Sequence, residues 1–424
     1  MTAFFLRARF SCIHPPVLRG DHMRPSSVGS VRPPLFHERP LPAAALGLCA
    51  GVGLFSFPGG LHLPLLSALA AFGLFLLWRG WRMSALFFFS AVCGLLRARL
   101  PALSIPAAAA ARFSDLAQAV GNRIDLLFPD WPGVARGMLL GSRNADISSA
   151  LSERLYAVGV GHLLAVSGLH VSVLTGALLL VWRRHALKLR YAVIAAFLVF
   201  YCLLTGGAPS VVRASVMLLV CVPAGLSLRR RDPLSSLALA CCIVVLLDPA
   251  APASVGFQLS FLAVLGILLL SPVLQAHLAL FGRTLSGLLS ASLSAALFTA
   301  PVMARAFAEI SVFGLAANVL LLPLVPLFLV PAFAAALLSF PFPALARRLA
   351  ALPRLALDAM MTLARAGGST VLRVAAPGPA AALFFYAGLL FLSRYCLRSE
   401  RRRALYGAVC LLLSVVFACL FPAG

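Results

Sequence analysis

The chain has 424 residues, of which 62% are apolar and 11% are charged, and its mean hydropathy is +1.00. Because a soluble domain carries roughly a quarter charged residues, this composition excludes a water-soluble globule. The net charge of +23 suits a nucleic-acid ligand, but basic residues also hold membrane loops in the cytoplasm, and most arginines here lie in loops and tails.

Apolar stretches long enough to cross a bilayer recur along the chain and predict an all-α polytopic integral membrane protein with about 11–13 transmembrane helices. Residues 1–40 precede them as a basic tail, which we expect to be disordered and cytoplasmic. The predicted spans are 41–57, 61–78, 83–98, 159–182, 189–206, 210–228, 234–248, 254–271, 285–304, a Pro-broken stretch 311–340, 380–396 and 404–421.

The orientation of these spans follows from the basic clusters between them, which should be cytoplasmic. Alternation from a cytoplasmic N-terminus satisfies every cluster if 311–340 enters and returns, as a re-entrant loop or two short spans. Its three prolines favour this because each removes a backbone donor, and the C-terminus is then outside. The clusters are Arg79/Arg82, Arg183/Arg184/Lys188/Arg190, Arg229/Arg230/Arg231 and Arg398/Arg401/Arg402/Arg403.

Three further segments are amphipathic and predict helices that lie on the outer interface: 112–128, 146–158 and 345–373. The predicted organisation is therefore a three-span segment at 41–98, a linker with interfacial helices at 99–158, a core at 159–340, and an interfacial helix with two spans at 341–424. The apolar faces are Phe113, Leu116, Ala117, Val120, Ile124 and Leu127 in the first segment, and Ile147, Leu151 and Leu155 in the second.

Several motifs of catalysis are missing. A P-loop ends in Gly-Lys-Ser/Thr, whereas the single lysine, Lys188, is followed by Leu189. HExxH, HxHxDH and CxxC do not occur, and most cysteines sit in apolar runs as small hydrophobes. We therefore expect no metal site, no cofactor and no enzyme activity, which excludes an ATP-driven pump or a metal-dependent nuclease.

The most informative sequence lies between Gly137 and Pro331, where polar residues recur within apolar helices. The strings in question are LLGSR (139–143), GHLLAVSGLH (161–170), PSVVRAS (209–215), RRDPLSSLALA (230–240), LLDP (246–249), GFQLSFLAVLGI (256–267) and ANVLLLPLVP (317–326).

In this order and spacing, these strings resemble the competence domain of the ComEC family, membrane permeases that pass single-stranded DNA inward during transformation. The resemblance implies a multi-pass protein of the bacterial inner membrane. It also implies single-stranded DNA, membrane lipids, a DNA receptor, a cytosolic DNA motor and a separate nuclease as partners, and it leaves room for a homo-oligomer.

The chain departs from that family in three ways. Residues 99–111 form an Ala/Pro linker too short for the family's oligonucleotide-binding domain. No metallo-β-lactamase-like domain follows before Gly424, and the family's Gly-Asp motif reads Gly141-Ser142 here. We therefore expect the channel part of the family without its two accessory domains.

Small residues within the predicted spans favour close helix packing. In span 159–182 they are Gly161, Gly168 and Ser172, and Gly256 is a further candidate. Ser167 and His170 fall on another face one turn apart. They face a cavity, or His170 bonds a neighbouring carbonyl.

Polar side chains from several spans converge near the outer surface and predict a pore mouth. Charges inside a membrane usually face a polar interior, although Arg213 could instead snorkel to the interface. An arginine can bind phosphate through a bidentate fork, and the Pro-broken stretch could line the lower passage. The candidates are His162, Arg213, Asp248, Gln258 and Ser260, with Asn318 in the lower passage.

Three functions remain open. The leading hypothesis is an inner-membrane channel for single-stranded DNA. The second is a secondary transporter for a small anion, which also uses broken helices and intramembrane arginines. The third is a non-conducting remnant of the permease.

Overall fold

The computed structural model describes residues 40–54, 62–78, 82–101, 107–141, 145–182, 185–226, 232–311, 314–366, 371–394 and 399–420. Residues 1–39 of the predicted tail lie outside these ranges, and Pro40 begins the first helix. Parts of every basic cluster and Ser142 of the altered Gly-Asp motif also lie outside them.

Helices make up nearly all of the described chain, which confirms the predicted all-α membrane class. The only strands in the described ranges form a short antiparallel ribbon that pairs Glu309 with Arg373. In chain order the elements are α1 Pro40–Leu54, α2 His62–Trp78, α3 Arg82–Ala98, α4 Ala107–Leu127, α5 Pro132–Leu140, α6 Ser149–Ala157, α7 Gly168–Val181, α8 Leu187–Leu204, α9 Pro209–Leu226, α10 Pro233–Leu247, α11 Val255–Leu269, α12 Ser271–His277, α13 Gly282–Phe307, β1 Glu309–Ser311, α14 Gly314–Leu321, α15 Leu324–Leu338, α16 Pro343–Leu349, α17 Ala351–Ala366, β2 Val371–Arg373, α18 Pro379–Leu392 and α19 Glu400–Leu420.

Two helices in the described ranges, Leu187–Leu204 and Ala279–Phe307, are long and apolar enough to cross a membrane by themselves. A third span is possible at α11 and α12, which pass the same test together but bend by 49° at the break between them. Eight further apolar helices of the described residues are shorter, with 10–17 residues each. The predicted span 254–271 is therefore the first limb of a broken element, and the predicted number of spans stays a prediction.

Helices α1 and α3 pack with their backbones in close contact. A Cβ at Gly47 would collide with the Phe87 carbonyl, and one at Gly51 with the Ala91 carbonyl. These two glycines are four residues apart and share one face of α1, as expected for a small-residue helix interface. The N-terminal helices therefore form a tightly packed unit, which also contacts α10.

The largest hydrophobic core joins α4, α5, α7, α8, α15 and α17. The predicted amphipathic helix at 112–128 is confirmed as part of α4, which starts earlier, at Ala107. Most of its apolar face is buried against the bundle, whereas Leu116 is 37% exposed. The segment predicted as one helix at 345–373 is instead α16, α17 and β2. The predicted break in 311–340 occurs between α14 and α15, at Leu322–Pro323.

Hydrogen bonds join helix ends that are distant in the chain. The Arg97 Nε at the end of α3 donates to the Leu246 carbonyl at the end of α10, over 2.7 Å. The Tyr201 hydroxyl near the end of α8 donates to the Leu139 carbonyl over 2.8 Å. All of these ends are predicted on the outer side, and the orientation of the spans stays a prediction.

Candidate functional site

The predicted span 159–182 is interrupted before its middle. A 3-10 turn, Gly161–Leu163, comes first, Ser167 is extended, and α7 begins only at Gly168. The predicted stripe of small residues from Gly161 to Ser172 therefore does not lie on one helix. Within α7, the Ser172 hydroxyl donates to the Gly168 carbonyl over 2.7 Å, so it serves its own helix.

Ser167 and His170 form a local motif at the first turn of α7. The His170 ring folds back so that Nδ1 accepts from the Ser167 backbone N–H over 3.2 Å and lies 2.8 Å from the Ser167 Oγ. This is the histidine version of a capping box, in which the third helical residue satisfies the backbone N–H of the cap residue. The structure shows no carbonyl bond at the His170 ring, because Nδ1 accepts from Ser167 and the buried Nε2 has no hydrogen-bond partner among the described residues.

Arg213 lies inside the helix bundle, on α9, with 5% of its surface exposed. A Cβ at Gly168 would lie 2.5 Å from the Arg213 Nη2, so the guanidinium occupies the space that glycine leaves open. Its Cζ lies 5.9 Å from the ring centroid of Phe261 on α11. The side chain therefore bridges α7 and α11 instead of snorkelling to the lipid surface.

The rings of Phe257 and Phe261 stack on each other with centroids 4.2 Å apart, and both belong to a buried apolar cluster. A cation over an aromatic ring gains about 0.5–2 kcal/mol, so the Phe261 ring is one of the contacts that offset the roughly 2.5–3.5 kcal/mol cost of an arginine at the centre of a membrane helix. In this structure the two phenylalanines pack in the core and support Arg213.

Backbone contacts hold the start of α9 against the segment before α7. The Ser210 hydroxyl donates to the Val166 carbonyl over 2.7 Å, one turn before Arg213. A second contact joins α8 to α9, where the Cys202 Sγ lies 3.2 Å from the Ser215 Oγ. These bonds position Arg213 relative to the first turn of α7.

Asp248 starts the short connection between α10 and α11, and Gln258 lies in the first turn of α11. The Asp248 carboxylate accepts from the Ala250 N–H over 2.9 Å, and the Gln258 amide donates to the Pro252 carbonyl over 2.9 Å. Both side chains therefore stabilise this connection. They share one end of the bundle, because the two helices meet there, but their place in one layer with His162 and Arg213 stays a prediction.

The remaining candidates are distributed over other elements. His162 is exposed on the 3-10 turn, and Asn318 is half-buried on α14. The Ser260 Oγ on α11 is buried without a hydrogen-bond partner. A Cβ at Gly256 would meet no atom within 4 Å, so this glycine does not lie at a helix contact of the described chain, contrary to the prediction.

Gly161 packs against the ring of Tyr156 on α6, where a side chain would collide. Tyr156 in turn stacks on Phe307 at the end of α13, with ring centroids 5.8 Å apart. The 3-10 turn is therefore held by α6 and by the helix that leads into the ribbon.

Two cavities of the described residues lie away from Arg213. One is a shallow cleft of about 300 Å³ beside the ribbon, lined by Phe307, Glu309 and Val374 among others. The other, about 20 Å³, is apolar and lies between α5, α14 and α17, next to Met138 and Met360. Around Arg213 the helices are in close contact. Groups of three or more potential metal ligands do not occur in the described ranges.

Sequence reasoning missed Arg97, which is 9% exposed at the end of α3. Besides the Leu246 carbonyl, its guanidinium donates to the carbonyls of Leu247, Leu100 and Pro101, each over 3.0 Å. The sequence signal that could have identified Arg97 is the position of an arginine at the end of the apolar helix α3. Thr175 belongs to the small residues of the predicted span 159–182, and in the structure its Oγ1 is buried in α7 without a hydrogen-bond partner among the described residues.

Known proteins resemble the part of the chain that contains this site. A family model described as Competence protein matches residues 138–399. ComE operon protein 3 of Bacillus subtilis (strain 168) is 31% identical over 215 residues, which cover 50% of this chain and 27% of that protein. The match therefore spans less than a third of that relative. No solved structure matches the chain.

Proposed function

Because the chain belongs to the Competence protein family, whose model matches residues 138–399, we propose that it acts in DNA uptake during natural transformation and forms the membrane path for a single strand. The matched region contains Ser167, His170 and Arg213. The observation that carries the proposal is the burial of the Arg213 guanidinium between α7 and α11, within the helices of that region.

A buried arginine suits a moving polyanion. A guanidinium can bind two phosphate oxygens at once, and it stays charged at any physiological pH. Conduction requires each binding step to be weak enough to release the strand. One arginine with neutral donors nearby meets that requirement better than a dense cluster of cations.

The close contacts around Arg213 correspond to a closed state of the proposed path. The Arg213 guanidinium fills the space beside Gly168, and neither of the two cavities described above reaches it. A strand therefore requires α7 and α9 to separate. A path that stays closed without DNA preserves the membrane potential. The bent pair α11 and α12 is an element whose movement could open the path.

The proposal places the protein in the bacterial inner membrane, with the N-terminus in the cytoplasm and the C-terminus outside. It also assigns a DNA receptor, a cytosolic motor and a separate nuclease as partners, and a homo-oligomer is compatible with it. Residues 159–340 form the proposed channel core, with His162, Asp248, Gln258, Ser260 and Asn318 as further lining candidates.

One observation favours a second function, transport of a small anion. Broken helices that bend within the membrane are typical of secondary transporters, and α11 and α12 bend by 49°. A transporter of this kind should catalyse uptake of its anion into vesicles that contain no DNA.

The decisive experiment deletes the gene in its native host and restores it on a plasmid. Labelled double-stranded DNA is supplied, and nuclease-resistant label is followed outside and inside the inner membrane. We expect the deletion to leave DNA outside the inner membrane and to abolish transformants, and the plasmid to restore both. Normal transformation of the deletion strain would refute the proposal and favour a remnant.

A further inference from the structure

The first turn of α7 brings together three groups that attract anions. The helix runs from Gly168 to Val181, and its N-terminus carries partial positive charge from unpaired backbone N–H groups. The Arg213 guanidinium rests against Gly168. The His170 ring is folded back onto the same turn by its contact with Ser167.

His170 supplies the second, independent observation. Its side chain is 0% exposed, and Nε2 has no hydrogen-bond partner. Because Nδ1 accepts from the Ser167 N–H, the neutral ring carries its proton on Nε2. A buried N–H donor without an acceptor is rare and costs roughly 1–3 kcal/mol, so its presence points to an acceptor that is absent from this state.

Glycine at position 168 allows the guanidinium to approach the turn. Any Cβ there would lie 2.5 Å from Nη2 and 3.5 Å from Cζ of Arg213. A larger residue would therefore move the guanidinium away from the N-terminus of α7.

We propose that this turn is a binding site for one phosphodiester group, held by the Arg213 guanidinium, the His170 Nε2–H and the N-terminus of α7. The inference rests on the proposed function and names the point where the strand is held when α7 and α9 separate. A phosphodiester monoanion fits because it offers two acceptor oxygens to the guanidinium and leaves an edge for the imidazole. The same chemistry exists in a phospholipid headgroup, and the experiment distinguishes the two sources.

The test uses two substitutions of His170. His170→Gln keeps an acceptor for the Ser167 N–H and adds a new N–H donor. His170→Glu also keeps the cap acceptor, since glutamate is the usual residue at this position of a capping box, but replaces the donor with a negative charge. Both variants therefore keep the acceptor that caps the helix, and they differ in whether the side chain attracts or repels a phosphate.

Purified full-length protein is placed in phosphatidylcholine nanodiscs, and binding of fluorescein-labelled dT20 is measured by fluorescence anisotropy. We expect Kd to rise about tenfold for His170→Glu and for Arg213→Gln, and much less for His170→Gln. The controls are Arg123→Gln, which removes a guanidinium 5.3 Å from the Phe340 ring, and His277→Glu, an exposed histidine. Both should bind like wild type, and size-exclusion profiles verify folding.

Equal Kd values for His170→Glu and the controls would overturn the site while leaving the proposed function to the deletion experiment. Absence of dT20 binding by wild type would overturn it as well. A second series uses nanodiscs with phosphatidylglycerol. If this lipid stabilises wild type but not Arg213→Gln against heat, and dT20 does not compete, the headgroup is the source and the assignment to a nucleic-acid strand is overturned.

Discussion

The N-terminal helices α1–α3 and the crossing of α7, α9 and α11 each bury an arginine, but they surround it differently. Arg97 uses its guanidinium to bind four backbone carbonyls, which join the end of α3 to the end of α10. Arg213 rests against a glycine and an aromatic ring, beside a histidine whose Nε2 lacks a partner. A cation whose donors bind backbone carbonyls holds a fold together, whereas the buried Nε2–H of His170 is a donor that is available to a ligand.

The glycines of the two regions differ in the same way. In α1 they bring two backbones together, so the contact partner is a carbonyl that cannot move without its helix. At Gly168 the partner is the far end of a flexible arginine side chain, which can withdraw. The first contact is rigid, and the second can open and close.

The comparison predicts its largest effect at Arg213. Arg213→Ala should lower transformation roughly 10–100-fold, the equivalent of the 1.5–3 kcal/mol expected for a charge-assisted hydrogen bond, while abundance stays nearly normal. Arg213→Lys should keep only part of the wild-type transformation frequency, because an ammonium cannot bind phosphate through a bidentate fork. Transformation frequency and immunoblots in the native host measure both, with Arg123→Ala as control.

Normal transformation by Arg213→Ala at normal abundance would contradict the phosphate role. A different pattern follows if Arg213 serves only to neutralise Asp248. Arg213→Ala would then lower the protein level, and Asp248→Asn would rescue it. Because the Asp248 carboxylate accepts from the Ala250 N–H, we expect no rescue.

Arg97 should show the opposite pattern, with lost abundance as the primary defect. Arg97→Met leaves the carbonyls at the ends of α3 and α10 without their donor, and we expect a loss of about 3 kcal/mol in stability. Thermal melting in detergent and immunoblots measure this. The exposed neighbour Arg99 provides the control, and an unchanged melting temperature for Arg97→Met would show that the carbonyls find other donors.

A matched pair of glycines tests the α1–α3 contact. Gly51→Leu should destabilise the protein by about 1–3 kcal/mol, because its side chain would collide with the Ala91 backbone. Gly53→Leu lies two residues away and meets nothing within 4 Å, so it should melt like wild type. Equal melting temperatures for the two variants would show that α1 and α3 are not in contact in the membrane.

Cysteines test the contact between α1 and the family region. The Sγ atoms of Cys49 and Cys241 are 3.5 Å apart. Copper-phenanthroline should therefore oxidise them to an intramolecular disulfide, detected by mass spectrometry of the joined peptides. Cys49→Ser should abolish this product and Cys242→Ser should not. If the wild type does not form this disulfide, the predicted contact between α1 and α10 is contradicted.

The smallest effect is an expected absence of activity. Purified protein should not cleave single-stranded DNA with Mg²⁺ or Mn²⁺, because the sequence carries neither the HExxH nor the HxHxDH pattern of a metal-dependent hydrolase. Incubation of labelled strands with wild type and with Arg213→Ala measures this. Cleavage that persists through purification and changes with substitutions in this chain would contradict the prediction.

Much of the helical architecture could be predicted from the sequence, because spans depend on local apolar length and amphipathic helices on local spacing. The face of α4 through Val120 and Ile124 is an example, since both are buried as predicted. Breaks were harder to place. Pro323 marked one, but the start of α7 at Gly168 and the bend after Leu269 lie in apolar runs without a strong local signal.

The sequence alone determined that this chain is a helical membrane protein and that its polar motifs lie between Gly137 and Pro331, since hydropathy and motif order are properties of the chain itself. Only the tertiary structure decided what those polar residues contact. The side chains of Asp248 and Gln258 bind backbone groups in the connection between α10 and α11. Arg213 contacts Gly168, which is 45 positions away in the chain. The physical reason is that a side chain's partners depend on which helices pack together, and that packing is set by long-range contacts between distant segments.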